Sequence, residues 1–523
     1  MAKKLAKELY LHNNLKHINI KNDHDYSALF VVNTPITDNS GIAHCVEHLI
    51  FRASKAFPHA TTLFQLTALT NVKINASTLA DTTYFHCQSP CLESFNLALN
   101  YLLNGMFSPL FRQEDLNKEI HDGNDFGVIY RELIGLKNEA EQQDKQLINK
   151  NNAQANNSYN YSGDSQLIGK LSLNDLQNFH QQHYQTNNIT LVTANADIEQ
   201  VSRLISQLPT QQKPEESISV QKKISGTADD KQQKKYSPEI NELISVYYQW
   251  LQDAYDKENN HQKTSPQKNH DCSKYENPTQ PSVKQKVLER AVLEQTALNQ
   301  TDKLTSSIES GLIAPLMTLS KTLEKQLLNY RYMNRSMNNK IIKNKAVTPP
   351  QKLKPKQALP HLFNPLYLKA KVQLSSSYLN QKQLDKNLVY VYDEHNALLL
   401  AAIDKTAQKL VYIASYIINA YPRFLSPRCQ GLCYATQALV IEEPSYLAIY
   451  SAFDCTPKVR LKTIIQSLLQ LSQDTGFIQK SLLLAKIKYC CMYQVEIHNL
   501  NDITPLSISI YLLTLTNKAP SKV

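Results

Sequence analysis

The sequence predicts an α+β fold, because segments typical of β-strands are interspersed with segments typical of helices. Two short apolar runs, residues 17–20 and 28–32, flank a polar stretch and are typical of a β-hairpin. Residues 92–112 carry leucines at helical spacing, and Pro109 ends that run. A second set of strand-like and helical runs begins at about residue 364, after polar stretches typical of linkers. We therefore expect two globular units.

The most informative stretch of the first unit runs from Gly41 to His48 and reads Gly-Ile-Ala-His-Cys-Val-Glu-His. Residue types that cap helices precede it, and apolar residues recur at helical spacing, so it predicts a helix. His44 and His48 then lie on one helix face, where both imidazoles can bind one metal ion. Glu47 projects beside that ion, either as a ligand or as a base. The His-x-x-Glu-His order favours a base that takes a proton from water activated by the metal. An amphipathic helix with two hydrogen-bonded histidines would show the same five-residue pattern.

A catalytic zinc site needs a third protein ligand and an open fourth position. Glu132 is the best candidate, because it lies within an otherwise apolar helical segment, residues 127–135. A buried carboxylate is costly unless it is paired or binds a metal. Glu139 and Asp125 are the alternatives. His180 and His183 fall on a different element and are expected at the surface.

The order of these features resembles the pitrilysin/insulinase family of zinc metallopeptidases, the inverzincins, and most of all its presequence-protease branch. The similarity covers most of residues 16–200. Its marks are Thr34-Pro35, the metal motif, Ser54 to Pro58, Asn75 to Thr78, Asp81, Thr83 and the Gly-Val-Ile-Tyr-Arg-Glu segment that ends at Glu132.

The resemblance implies two α/β-sandwich domains, each an antiparallel-rich sheet with helices on one face. They would comprise residues 1–212, which bind zinc, and residues 364–523, joined by a helical and partly disordered linker, residues 213–363. Presequence proteases have four such domains in two halves. Only about 150 residues separate the two domains here, one domain's worth at most, so the chain is expected to be shortened in the middle.

The resemblance also implies residues that contact substrate. In the family an edge strand pairs with the peptide backbone, and Asn75 and Ala76 match that strand. Residues 427–435 resemble an Arg-x-x-Gly-Gly-Ala-Tyr segment, with Leu432 in place of the second glycine. By this match Arg428 and Tyr434 would hold the substrate and stabilise the oxyanion. Read without the resemblance, Asn75 would be a turn residue, and the other two a surface arginine and a strand tyrosine.

The net charge, the cysteines and the lack of long apolar runs indicate which kinds of partner and compartment to expect. The net charge of +10 is spread along 523 residues without a nucleic-acid-binding motif, so it indicates solvated surface. Nine cysteines without a CxxC pair indicate free thiols in a reducing compartment. With no apolar leader and no run of 18 apolar residues, we expect a cytoplasmic protein that is not bound to membranes.

The sequence therefore predicts a metalloendopeptidase that binds one Zn²⁺ per chain and cleaves short unfolded peptides by metal-activated water. Peptide substrates are the expected partners, and a homo-oligomer is possible. The alternative is a degenerate, non-catalytic family member that acts as a peptide-binding or partner subunit. The intact five-residue motif favours the enzyme, whereas the short middle of the chain favours the alternative.

Overall fold

The computed structural model describes residues 7–208, 311–338 and 388–517, apart from residues 13, 21–25, 80, 122, 124, 145–158, 442–444 and 494. Within these ranges the fold is mixed α/β. The strands form a six-stranded sheet and a four-stranded sheet. Of the strand pairs described, all are antiparallel except β2 with β6, so antiparallel-rich sheets are confirmed.

The six-stranded sheet has the order β1-β2-β6-β3-β5-β4. Its strands are β1 (Lys7–His12), β2 (Leu15–Ile20), β3 (Tyr26–Asn33), β4 (Lys73–Thr78), β5 (Thr82–Ser89) and β6 (Ile189–Ala194). The predicted hairpin between residues 17–20 and 28–32 is wrong, because β6 lies between β2 and β3. Most residues of β2 and β3 are buried on both faces, as is typical of central strands with a neighbouring strand on each side. The hairpin partner of β2 is β1, across a turn in which Asn14 has a φ of 65°.

The described residues of the first part also form seven α-helices: α1 (Ile42–Arg52), α2 (Thr62–Leu69), α3 (Leu92–Phe107), α4 (Gln113–Glu119), α5 (Val128–Asp144), α6 (Leu173–His183) and α7 (Ile198–Ser206). The predicted surface position of His180 is wrong. Its ring is buried and its Nε2 donates to the Met106 carbonyl oxygen at 2.7 Å. Burial lowers the pKa of His180 to about 4, so this histidine is a neutral core residue.

The second sheet has the order β7-β8-β10-β9, with β7 (Leu388–Tyr392), β8 (Ala397–Ala402), β9 (Ala435–Ile441) and β10 (Tyr446–Ala452). Its helices are α9 (Gln408–Ala420), α10 (Pro422–Cys429), α11 (Pro457–Gln473), α12 (Thr475–Tyr493) and α13 (Pro505–Asn517). The sequence of residues 438–453 predicts two strands with a turn near Glu443 and Pro444, and β9 and β10 are the antiparallel pair found there. No helix among the described residues is long and apolar enough to cross a membrane.

One helix, α8 (Ala314–Asn338), lies in the stretch expected as a linker. Its residues Leu316, Leu319 and Leu323 are buried in the main hydrophobic core. That core also takes in apolar side chains from both sheets and from α9, which packs on α2. The sequence also predicts helical segments at residues 240–254 and 287–334. The first, and the part of the second before residue 311, lie outside the described residues, and α8 overlaps the rest of the second.

Gln65 joins three segments inside this core. Its side chain is fully buried and donates from Nε2 to the carbonyl oxygens of Gly311 at 3.0 Å and Ala420 at 3.1 Å. Its Oε1 accepts from the Ile313 backbone nitrogen at 3.0 Å. A buried amide with both ends paired fixes the relative positions of the segments it contacts.

Candidate metal centre

Two glycines set the start of the motif helix. Gly41 precedes α1 with a φ of 73°, and Gly163 faces it with a φ of 94°. A Cβ on Gly41 would lie 2.9 Å from the Gly163 Cα, so only glycine permits this approach. The contact brings Ser162 against the helix, where its carbonyl oxygen accepts a 2.9 Å hydrogen bond from His44 Nδ1. That bond leaves His44 Nε2 as the atom that can bind a metal.

His48 is oriented by a buried carboxylate in the same way. Its Nδ1 lies 2.9 Å from Glu119 Oε2, at the end of α4. Arg52 donates to Glu119 Oε1 at 2.6 Å, and Arg428 lies 3.5 Å from the same oxygen. Burial raises the pKa of the Glu119 carboxyl, but the guanidiniums of Arg428 and Arg52 outweigh it and hold that pKa well below its usual range. Glu119 is therefore a permanent acceptor for His48 Nδ1–H.

The three predicted ligands come together. Glu132 Oε2 lies 3.7 Å from His44 Nε2 and 3.8 Å from His48 Nε2. This group is the cluster of possible metal ligands found among the described residues, and its candidate ligand atoms all lie within 4.8 Å of one another. Glu132 Oε2 is buried and has no hydrogen-bond partner in the described structure.

The donor set fits zinc. Two imidazole nitrogens and one carboxylate oxygen are the ligands of a catalytic zinc site, which keeps its fourth position open. Ligand atoms in such a tetrahedral site lie roughly 3.4 Å apart. The two distances from Glu132 Oε2 to the imidazole nitrogens, 3.7 and 3.8 Å, are close to that value. The buried, unpartnered carboxylate oxygen is also the feature that a bound cation would satisfy.

Of the two alternative third ligands, only Asp125 has a described side chain, and it has another partner. Asp125 forms an ion pair with Arg131, whose Nη1 donates to Asp125 Oδ2 at 2.8 Å. The side chain of Glu139 lies outside the described side chains. Among the three candidates, the described structure brings Glu132 to the two histidines.

Glu47 is the buried carboxylate next to this cluster, with 7% of its surface exposed. Its Oε2 accepts a 2.6 Å hydrogen bond from the Thr78 hydroxyl, on strand β4. Burial is the largest influence on its pKa and raises it above the usual value for glutamate. A raised pKa suits a group that must take up and release a proton near neutral pH.

The residues expected to bind substrate lie on β4 and in the second part of the chain. Asn75 and Ala76 pair with β5 on one side, opposite His86 and Phe85, and no described strand pairs with the other side of β4. That side is an edge to which an extended peptide can add.

Arg428, at the end of α10, brings the C-terminal part to the cluster. Besides its contact with Glu119, its guanidinium carbon lies 5.9 Å from the ring centroid of Tyr434. The structure therefore places Arg428 beside Glu119, which orients His48, and Tyr434 beside Arg428, although both lie more than 300 positions along the chain from Glu119.

The sequence reasoning did not identify Glu119, Ser162 or Thr78 as members of this site. A signal for Glu119 existed in Arg52, an arginine four residues after His48 on an otherwise apolar helix. A buried arginine requires a buried acid, and Glu119 and Asp115 supply it. Nothing in the local sequence indicates the role of the Ser162 carbonyl.

Comparison with known proteins finds partial sequence similarity to peptidases. The sequence profile of the family described as Insulinase (Peptidase family M16) matches residues 36–130, which include the motif helix and β4. A mitochondrial presequence protease of Candida albicans is 29% identical over 194 residues, which cover 34% of this chain and 18% of the relative. An uncharacterised protein of Schizosaccharomyces pombe is 27% identical over 183 residues, again 34% of this chain and 18% of the relative.

These matches span about a fifth of the length of each relative. Among solved structures, a mutant of the ferredoxin protease FusC in complex with Arabidopsis ferredoxin is 22% identical and covers 40% of this chain and 25% of that chain. Its TM-score of 0.31 is too low for a comparison of the folds.

Proposed function

From the similarity of residues 36–130 to the insulinase family of peptidases, we propose that this chain is a zinc-dependent endopeptidase that cleaves short unfolded peptides. The observation that carries the proposal is the convergence of His44, His48 and Glu132 beside the buried Glu47. Two oriented imidazoles, an unpartnered carboxylate oxygen and a neighbouring base form the set of groups that metal-assisted hydrolysis requires.

In this proposal His44, His48 and Glu132 hold one zinc ion per chain. The ion, when bound, would polarise the scissile carbonyl and lower the pKa of the attacking water towards about 7. Glu47 takes the proton from that water. Since Thr78 donates to Oε2, the proton is taken by Oε1, and Glu47 then delivers it to the leaving amine.

The substrate would bind as an extra strand on β4, along Asn75 and Ala76. Pairing through backbone groups requires little of the peptide's side chains but does require an extended, unfolded segment. Tyr434 would donate to the carbonyl oxygen that becomes an oxyanion, and Arg428 would hold the backbone nearby. The cation of Arg428 has a second task, since it also stabilises the charge on Glu119.

The test is a measurement of zinc content and peptide cleavage by the purified full-length chain. We expect one zinc per chain and cleavage of a quenched fluorescent, unstructured peptide that stops on addition of a zinc chelator and returns with added zinc. A stably folded protein, offered as substrate in place of the peptide, should not be cleaved. Cleavage that persists in the chelator would contradict a metal mechanism.

The alternative function, a subunit that binds peptides without cleaving them, predicts a different pair of results. Such a protein would bind the unstructured peptide while leaving it intact, even when zinc is stoichiometric. The buried Glu47 and the unpartnered Glu132 oxygen favour the enzyme, because both are costly features that a binding edge on β4 does not need.

A further inference from the structure

A strained backbone position lies against the helix that carries Glu132. Phe453, directly after β10, has a φ of 48°, in the left-handed region that bulky side chains rarely adopt. Its ring is buried. Such strain persists only where surrounding contacts impose it, and it is concentrated at functional sites.

Contacts within the C-terminal part hold this position. The Phe453 backbone nitrogen donates to Asn396 Oδ1 at 3.3 Å, and that of Asp454 donates to the His395 carbonyl oxygen at 2.6 Å. The buried Asp454 carboxylate accepts two hydrogen bonds from Arg460, at 2.6 and 2.8 Å. We call Phe453 and Asp454 the clamp loop.

Arg131 attaches the clamp loop to α5. Its Nε donates to the Phe453 carbonyl oxygen at 3.1 Å, and its Nη2 donates to that of Asp454 at 2.8 Å. Its third nitrogen binds Asp125. The arginine is 4% exposed, so these bonds are made away from water, where they are strong. Arg131 is the residue immediately before Glu132.

The ring of Phe453 contacts α5 one turn beyond Glu132, at Gly135. A Cβ at Gly135 would lie 2.3 Å from the Phe453 Cδ1 atom, so no larger residue fits without moving the ring or the helix. The start of α5 is tied to the same part of the chain, because the Gly127 nitrogen donates to the Gly431 carbonyl oxygen at 2.9 Å. Glu132 therefore lies between attachment points on both sides.

We propose that the clamp loop is a positioning element for Glu132, so that the C-terminal part of the chain sets the affinity of the zinc site. This inference rests on the proposed zinc site. To share one ion with His44 and His48, the Glu132 carboxylate must lie close to both imidazoles. Ser162 and Glu119, on other elements, fix the orientation of these two imidazoles. A small displacement of α5 moves Glu132 away from both. Outer-shell changes of this kind typically lower metal affinity about 10- to 100-fold.

The experiment measures zinc affinity by competition with a chelating dye, using the full-length chain. Gly135→Ala should weaken zinc binding about 10- to 100-fold, because the new methyl group and the Phe453 ring cannot occupy the same space. Alanine favours a helix over glycine, so the helix itself is not weakened. The matched control is Gly476→Ala, in α12, where the nearest atom to a Cβ would be 3.7 Å away. That variant should bind zinc as the wild type does.

A second substitution should remove the effect of the first. Phe453→Gly deletes the ring and accepts the left-handed backbone without strain. In that background Gly135→Ala should no longer lower the zinc affinity, which is the signature of a direct contact. Arg131→Lys keeps the charge but loses the forked donor that binds the clamp loop. This variant should also weaken zinc binding, although Gly135 is unchanged.

The outcomes separate this inference from the proposed function. A wild-type chain that binds no zinc contradicts the proposed function. A wild type that binds zinc, with Gly135→Ala binding equally well, overturns the role of the clamp loop. So does a loss caused by Gly135→Ala that persists unchanged in the Phe453→Gly background. Thermal unfolding of the zinc-free variants shows whether each protein is folded.

Discussion

At the scale of single residues, three buried glutamates have three different surroundings. Glu47 accepts from one hydroxyl, Glu119 faces two guanidiniums and a histidine, and Glu132 Oε2 has no partner among the described residues. Burial raises the pKa of Glu47, whereas the cations around Glu119 lower the pKa of that carboxyl. The residues proposed as base, orienting group and metal ligand thus differ in environment rather than in residue type.

Glu47→Gln should abolish the base while leaving the zinc ligands in place. The amide retains the size of the side chain but cannot take a proton, so peptide cleavage should fall by about two to four orders of magnitude. Zinc content, measured by mass spectrometry, should stay near the wild-type value. If the variant instead lost its zinc, Glu47 would be a ligand.

Glu119→Gln should weaken the zinc site from outside it. The neutral amide leaves Arg52 and Arg428 without their shared counter-charge and weakens the acceptor of His48 Nδ1. We expect zinc affinity to fall about 10- to 100-fold in a chelator competition. Glu114→Gln, at an exposed position of the same helix, is the matched control. Equal affinities of the two variants would rule out this role.

At the scale of elements, the contact between α12 and α2 carries a titratable group. Lys488 Nζ donates to the carbonyl oxygens of Thr67 at 2.7 Å and Ala68 at 3.0 Å, and it lies 4.7 Å from the ring centroid of Tyr416. Burial, and then the charge of Lys73, lower the pKa of Lys488 to about 7. In the unfolded chain the pKa of this lysine is the ordinary value of about 10.4.

Stability should therefore rise with pH across this interval. Below about pH 7 Lys488 is protonated in both the folded and the unfolded state, and its buried charge destabilises the folded state. Between pH 7 and about 10 the unfolded chain binds more protons than the folded one, so the free energy of unfolding increases with pH. Lys488→Met should flatten that increase in denaturant titrations at a series of pH values. An identical slope in both proteins would contradict the assignment.

At the scale of the whole molecule, the two parts of the chain meet next to the candidate metal ligands. Arg52 donates to the Cys429 carbonyl oxygen, Gly127 binds Gly431, and Arg428 pairs with Glu119. These contacts place residues of the C-terminal part beside Glu119, which orients His48, and beside the start of the helix that carries Glu132. They support the proposal of a single active site assembled from both parts of the chain.

Tyr434→Phe tests whether both ends contribute to catalysis. Loss of the hydroxyl should lower the rate constant about 10²- to 10³-fold, the usual effect of removing an oxyanion donor, with zinc content unchanged. Tyr392→Phe, at an exposed tyrosine of β7, should cleave the peptide at the wild-type rate. An active Tyr434→Phe variant would confine the chemistry to the N-terminal part.

The sequence by itself determined the features that depend on nearby residues. The spacing of His44, Glu47 and His48 placed them together on one helix, and the apolar surroundings of Glu132 marked it as the third ligand. The family resemblance, carried by the same local motifs, is confirmed by the comparisons. Local patterns also predict β-structure at residues 71–88, 388–392 and 438–453, where the structure has β4, β5, β7, β9 and β10.

Only the tertiary structure decided which distant groups complete the site. His48 and Glu119 are separated by 71 positions, His44 and Ser162 by 118, and Arg131 and Phe453 by 322. It also decided that β6 enters the sheet between β2 and β3, which no turn signal near those strands encodes. The physical reason is common to all of these. A local pattern reports which face of an element is buried, whereas the partner of a buried polar group is set by how the elements pack.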